Sequence, residues 1–105
     1  MDQDGPVSDF SATRLVAEGR VTVRVSGEVD MSTADAMFQA ATGNGVRAAS
    51  LDLRGVTFFD SAAIQALVRL AEHYPDSLEV LASPQVQRVL DISGLSGQPW
   101  LRRPE

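Results

Sequence analysis

The sequence predicts an α/β domain on a mixed sheet, with an antiparallel hairpin first and parallel strand-helix units after it. Three observations carry this. Val21, Val23 and Val25 alternate with Thr22, Arg24 and Ser26, the period of a strand with one buried face. Apolar spacing then becomes helical from Ala34 and returns to alternation at Ala49, Leu51 and Leu53. A strand reached through a helix implies a parallel neighbour and a right-handed crossover.

Residues 1–7 read as a flexible arm, and the domain spans 8–105. Phe10 to Val16 reads as a strand and Glu18-Gly19 as a turn, so the valine strand completes a hairpin. Gly27-Glu28-Val29-Asp30 ends that second strand. Ser32, with Asp35 three residues on, matches a capping box. Ala34, Met37, Phe38 and Ala41 form one apolar stripe on a helix of about three turns, and Gly43-Asn44-Gly45 stops it. Ala49, Leu51 and Leu53 make the third strand, followed by a loop from Arg54 to Phe59. A second helix starts near Asp60-Ser61. Its stripe is Ile64, Leu67, Val68 and Ala71, and Pro75 closes it. Leu78 to Ala82 is a short apolar strand. Ser83-Pro84 opens a third helix with proline at its first position. Val86, Val89 and Leu90 face inward there, and Gly94 ends it. In the tail, Trp100-Leu101 is placed as a short last strand.

Composition narrows the function. A length of 105 residues fits one domain. The net charge of −5 argues against nucleic acid or an anionic membrane as the main partner. No apolar run approaches the roughly 18 residues that cross a bilayer. The acidic N-terminus is no secretory signal, so a cytoplasmic protein is expected. The absence of cysteine excludes disulfides, thiolate nucleophiles and cysteine-ligated metals. All nine basic residues are arginine, which removes Schiff-base and P-loop lysine chemistry. His73 is the only histidine, and it lies about 18 Å beyond Ser61 along the same helix. The two cannot form a catalytic pair. No cofactor, metal or enzymatic activity is expected.

What remains is the junction Leu51-Asp-Leu-Arg-Gly-Val-Thr-Phe-Phe-Asp60-Ser61. Sites in open α/β sheets gather beyond strand C-termini, and Asp60-Ser61 falls there. The pair reads either as a plain helix cap or as a place where a phosphate is carried. Phe58 and Phe59 cannot both point inward from an extended segment, so one is available to a partner. Asp30 closes the second strand on the same edge. It is either a helix cap or, beside Asp60, half of a carboxylate pair that could hold a metal or act as general acid and base.

These residues resemble those of STAS domains, in particular the bacterial anti-sigma factor antagonists. Gly27-Glu-Val-Asp30 followed by Ser32-Thr33-Ala34 is similar to the family's entry to its first helix. The apolar strand ending in Asp60-Ser61 is similar to its most diagnostic segment, and Ser83-Pro-Gln-Val-Gln-Arg-Val-Leu90 with Gly94-Leu95 to its late helix. The resemblance covers about residues 10–97. It implies a single STAS-like domain with helices packed mainly on one face.

It also implies a mechanism. Ser61 matches the phosphoacceptor of an anti-sigma factor that is itself a serine kinase. Unphosphorylated antagonist would bind that partner and free the sigma factor, and a phosphatase would reset the switch. The implied docking surface is Asp30, Ser32, Thr33, Phe59, Asp60, Ser61, Ala62, Ala63 and Gln65. Phosphate adds about −1.5 to −2 charge, making an already acidic surface repel an acidic partner patch. The family usually has a second hydroxyl and a glycine after this serine. Here Ala62 leaves Ser61 the sole acceptor in the first turn. Ala63 is expected to add a methyl group where a partner backbone approaches, altering partner choice or weakening kinase recognition. The alternative is a STAS adaptor that binds without phosphorylation in a transport or signalling complex. A small carboxylate enzyme or metal-binding domain built on Asp30 and Asp60 is the remote third.

Overall fold

The hairpin at the start of the chain sets the sheet. Strand β1, Phe10–Ala17, pairs antiparallel with β2, Arg20–Val29, in an unbroken register from Phe10 opposite Gly27 to Ala17 opposite Arg20. The two turn residues, Glu18 and Gly19, have φ of 55° and 81°. Positive φ at both positions is the signature of a type I′ turn, whose twist matches that of the strands. The computed structural model describes residues 9–43 and 45–102. The expected arm over 1–7, Asn44 of the helix stop and Arg103 beyond the last strand lie outside the described residues.

From β2 the chain passes through α1, Ala34–Ala40, to β3, Ala48–Phe59, and through α2, Ser61–His73, to β4, Leu78–Ala82. Helix α3, Pro84–Ile92, precedes β5, Leu101–Arg102. The sheet order is β1-β2-β3-β4-β5, and every pairing after the hairpin is parallel. This is the expected mixed sheet, with the helices on one face. Val21, Val23 and Val25 meet Ala49, Leu51, Leu53 and Val80 beneath Leu67, Leu70, Val86 and Leu90. The opposite face carries Thr22, Arg24, Ser50, Asp52 and Glu79, as alternation requires.

Four local expectations are corrected. The loop expected over Arg54 to Phe59 is the second half of β3. Register shifts against β2 between Arg24 and Ser26 and between Gly27 and Glu28 move the buried positions to Val56 and Phe59. A strand with such bulges loses its two-residue period. Helix α1 has two turns rather than three, and the Ser32–Asp35 capping box does not form. Its N-cap is Thr33, with no side-chain cap bond. The buried face of α2 is Ala63, Ala66, Leu67 and Leu70, so Ile64, Val68 and Ala71 lie on its flank. Two of these buried positions are the small residues Ala63 and Ala66, which hydrophobicity alone under-weights.

Two buried polar groups fix how the helices pack, one against the sheet and one against each other. Ser83 accepts from the Val86 N–H at 3.2 Å and donates to the Val56 carbonyl at 2.8 Å, pinning the start of α3 to β3. The Tyr74 hydroxyl, just past α2, donates to the Ala41 carbonyl at the end of α1. Burial pushes the Tyr74 pKa up, with the Arg14 charge opposing in part.

Candidate functional site

The C-terminal ends of β2 and β3 lie side by side, with Val29 opposite Phe59. Asp30 and Asp60 are therefore the first residues off two adjacent strands, and the Asp60 N–H donates to the Val29 carbonyl at 3.3 Å. Each carboxylate is then occupied by its own chain.

Asp60 is the N-cap of α2. One carboxylate oxygen accepts from the N–H groups of Ala62 at 3.0 Å and Ala63 at 3.1 Å, satisfying donors that the helix cannot satisfy itself. Asp30 folds its loop back. Its Oδ1 accepts from the Ser32 N–H at 2.9 Å and the Ser32 hydroxyl at 2.7 Å. Thr33 Oγ1 accepts from the Asp30 N–H at 2.9 Å, and its one proton lies between the Glu28 carbonyl at 3.0 Å and Asp30 Oδ1 at 3.2 Å. Hydrogen bonds from the Ser32 side chain, then its backbone, and from Thr33 hold the Asp30 carboxyl below the usual range. It is a charged, fixed acceptor near neutral pH, which does not suit a general acid. Among the described residues no three potential ligands cluster in a way that could hold a metal ion.

Ser61 is the first residue of α2 and is exposed. Among the described residues its hydroxyl makes no hydrogen bond to protein. Gln65, one turn on, is exposed on the same side. Ser32 is exposed, Asp30 and Asp60 are half-exposed, and Ala62 is half-buried. Three of the expected contact residues point elsewhere. Phe59 is 4% exposed and belongs to the core, as does Ala63. Thr33 is buried and holds the Asp30 loop. Strand alternation turns Phe58 outward instead, at 50% exposed, so Phe58 and not Phe59 is the aromatic open to a partner. The Ala63 methyl lies in the core, so the expected extra methyl group is not on the surface a partner meets.

Sequence reasoning missed Met31, which is 85% exposed beside Asp30. An apolar residue in a turn whose neighbours are all polar was the available signal. Ser61, Gln65, Ser32 and Met31 thus line a surface of small polar groups with one long apolar side chain, on a frame held by Asp60, Thr33 and Ser83.

This geometry defines a parallel strand-helix module that presents a free serine at a capped helix start. Comparison with known proteins places the module. The family model described as Mlab, STAS domain, matches residues 13–103, and the chain belongs to the STAS domain family. No curated protein matches it. Among solved structures it is similar to an anti-sigma factor antagonist from Mycobacterium paratuberculosis, with 27% identity and a TM-score of 0.79 over 97% of this chain and 92% of that one. The anti-sigma factor antagonist SpoIIAA in its unphosphorylated form is 20% identical, with a TM-score of 0.70 over 91% of this chain and 88% of that one. The Bacillus cell fate determinant SpoIIAA in its phosphorylated form is 24% identical, with a TM-score of 0.58 over 91% of each chain. At these last identities the likeness is one of fold. Among the described residues no helix is long and apolar enough to cross a membrane.

Proposed function

We propose that this protein is an anti-sigma factor antagonist that acts by binding rather than by catalysis. It engages an anti-sigma factor of the serine kinase type when Ser61 carries a free hydroxyl, and it is released when that hydroxyl is phosphorylated. The observation that carries the reading is the Ser61 side chain itself: exposed, without a protein partner among the described residues, and on a helix start fixed by two cap bonds. A phosphate there adds about −1.5 to −2 charge beside two carboxylates. The Asp60 carboxylate already accepts from the Ala62 and Ala63 N–H groups, so the phosphate has few donors to fold onto. It projects into the docking surface and opposes the partner by charge and bulk. A phosphatase resets the switch.

The same occupied cap favours a second reading, an adaptor that docks through this surface without phosphorylation. Incubation with an anti-sigma kinase of the same genome and ATP, followed by intact-mass measurement, separates them. The switch expects one phosphate on wild type and none on Ser61→Ala. No phosphate on wild type overturns it in favour of the adaptor, and equal incorporation in the variant overturns Ser61 as the acceptor.

A further inference from the structure

The free edge of β1 points to a partner of a different kind. Eight residues long and regular, β1 carries no proline and no bulge, and among the described residues nothing pairs with its outer side. Such edges are usually blunted by charge, proline or irregularity. The opposite edge, β5, is only two residues long and ends in Arg102. Strand β1 holds one charged residue, Arg14, and its guanidinium turns away to donate to the Ala40 carbonyl at 2.9 Å. Leu15 and Val16 are 71% and 46% exposed. In a chain of net charge −5, this is a long segment without a single carboxylate.

The hairpin fixes which backbone groups face out. In a two-residue turn the flanking pair, Ala17 and Arg20, is hydrogen-bonded, and such pairs then alternate along the ladder. Leu15, Thr13 and Ser11 therefore face β2, while the N–H and C=O groups of Val16, Arg14, Ala12 and Phe10 point outward. Opposed residues on antiparallel strands must share a face of the sheet. Two-fold self-pairing is thus centred on a residue, and the greatest overlap of β1 with itself comes at Thr13 or Arg14. Centring on Arg14 sets two guanidinium groups against each other. Centring on Thr13 sets Ala12 opposite Arg14 and Val16 opposite Phe10 of the second copy. These are the outward-facing pairs, giving about eight backbone hydrogen bonds. Val16 gains a phenyl ring to cover it, and Leu15 meets Ser11.

We propose that β1 is a homodimer interface, in which a second copy of this chain adds across a two-fold axis at Thr13 to make one continuous ten-stranded sheet. The two Ser61 edges then point in opposite directions and stay open, so one dimer engages two partners. The proposal is independent of phosphorylation.

The test is sedimentation of the full chain from low micromolar to millimolar concentration. Wild type is expected to dimerise. Val16→Lys, present twice across the axis, weakens the dimer by about tenfold or more. Ala12→Pro abolishes it, because the Ala12 N–H is bonded only to the second copy. Circular dichroism checks that each variant keeps its fold. At Thr13 the two chains form a non-hydrogen-bonded pair with Cα atoms about 4.5 Å apart, within disulfide reach. Thr13→Cys therefore cross-links on mild oxidation and Thr22→Cys, on the open face of β2, does not. A monomer at every concentration, an undiminished dimer in folded Val16→Lys, or equal cross-linking of both cysteine variants overturns the proposal.

Discussion

At the scale of single residues, the surface and the frame beneath it answer to different tests. Ser61→Ala removes an exposed hydroxyl and should keep partner affinity within about twofold, while Ser61→Glu should weaken it by about tenfold or more. Calorimetric titration with the anti-sigma partner checks this, and equal affinities for the two variants contradict the charge mechanism. Phe58→Ala removes an exposed ring and should lower partner affinity at unchanged thermal stability; Phe59→Ala, in the core, should cost about 3–5 kcal/mol of stability. Gly27 is a stricter constraint. Its φ is +88°, and an added Cβ would lie 1.5 Å from the Asp9 carbonyl oxygen. That oxygen accepts the Glu28 N–H at 2.7 Å and closes the hairpin beside the site. Gly27→Ala should therefore destabilise the fold by about 3 kcal/mol, read as a lower urea midpoint. This residue sits in the sequence as the G of an ordinary strand-end motif. Its role was hidden because the contact is with Asp9, eighteen positions away and across the hairpin.

Among elements, the hairpin turn offers the clearest gain. Glu18 is the one described residue other than glycine with positive φ, a conformation that costs an L-residue about 1–2 kcal/mol. Glu18→Asn gives the Asn-Gly pair that type I′ turns favour and should stabilise by about 0.5–1 kcal/mol in chemical denaturation. The turn was legible from Gly19 alone, and so was the whole element order, because valine alternation and helical spacing are strong in this chain. What escaped reading depended on neighbours. The extension of β3 to Phe59 places an extra β3 residue against β2 at each of two register shifts, and the packed face of α2 is made partly of Ala63 and Ala66, which weigh little in a hydrophobic pattern. At the site, the Asp60 cap was legible from helix chemistry. The closed loop at Asp30 was not, because Ser32 and Thr33 suited a capping box equally well. The choice between Phe58 and Phe59 turned on one residue of register, which bulges make unreadable.

Across the whole molecule, stability has an acid limb and an alkaline limb with different origins. On the open face, Asp52 of β3 is held by Arg54 at 2.9 Å and approached by Arg24 of β2 at 3.8 Å, with its own side chain only 14% exposed. The Arg54 hydrogen bond, with Arg54 and Arg24 charges adding to it, keeps the Asp52 carboxyl below its ordinary value against the opposing effect of burial. A carboxyl depressed on folding contributes stability that is complete above its unfolded pKa of about 3.9. That stability is lost as pH falls through the folded value. Asp30 acts in the same direction at the other end of the sheet. Tyr74 is raised, so its contribution is complete below about pH 10 and fades as pH climbs through the folded value. Urea unfolding should thus give a plateau across neutral pH. Asp52→Asn should flatten the acid limb and leave the alkaline limb in place. Tyr74→Phe should do the reverse, and it should lower the plateau by about 1 kcal/mol for the lost bond to Ala41. If Asp52→Asn leaves the acid limb as steep as in wild type, the ion pairs across β2 and β3 are surface ornaments, and the open face is held by the backbone ladder alone.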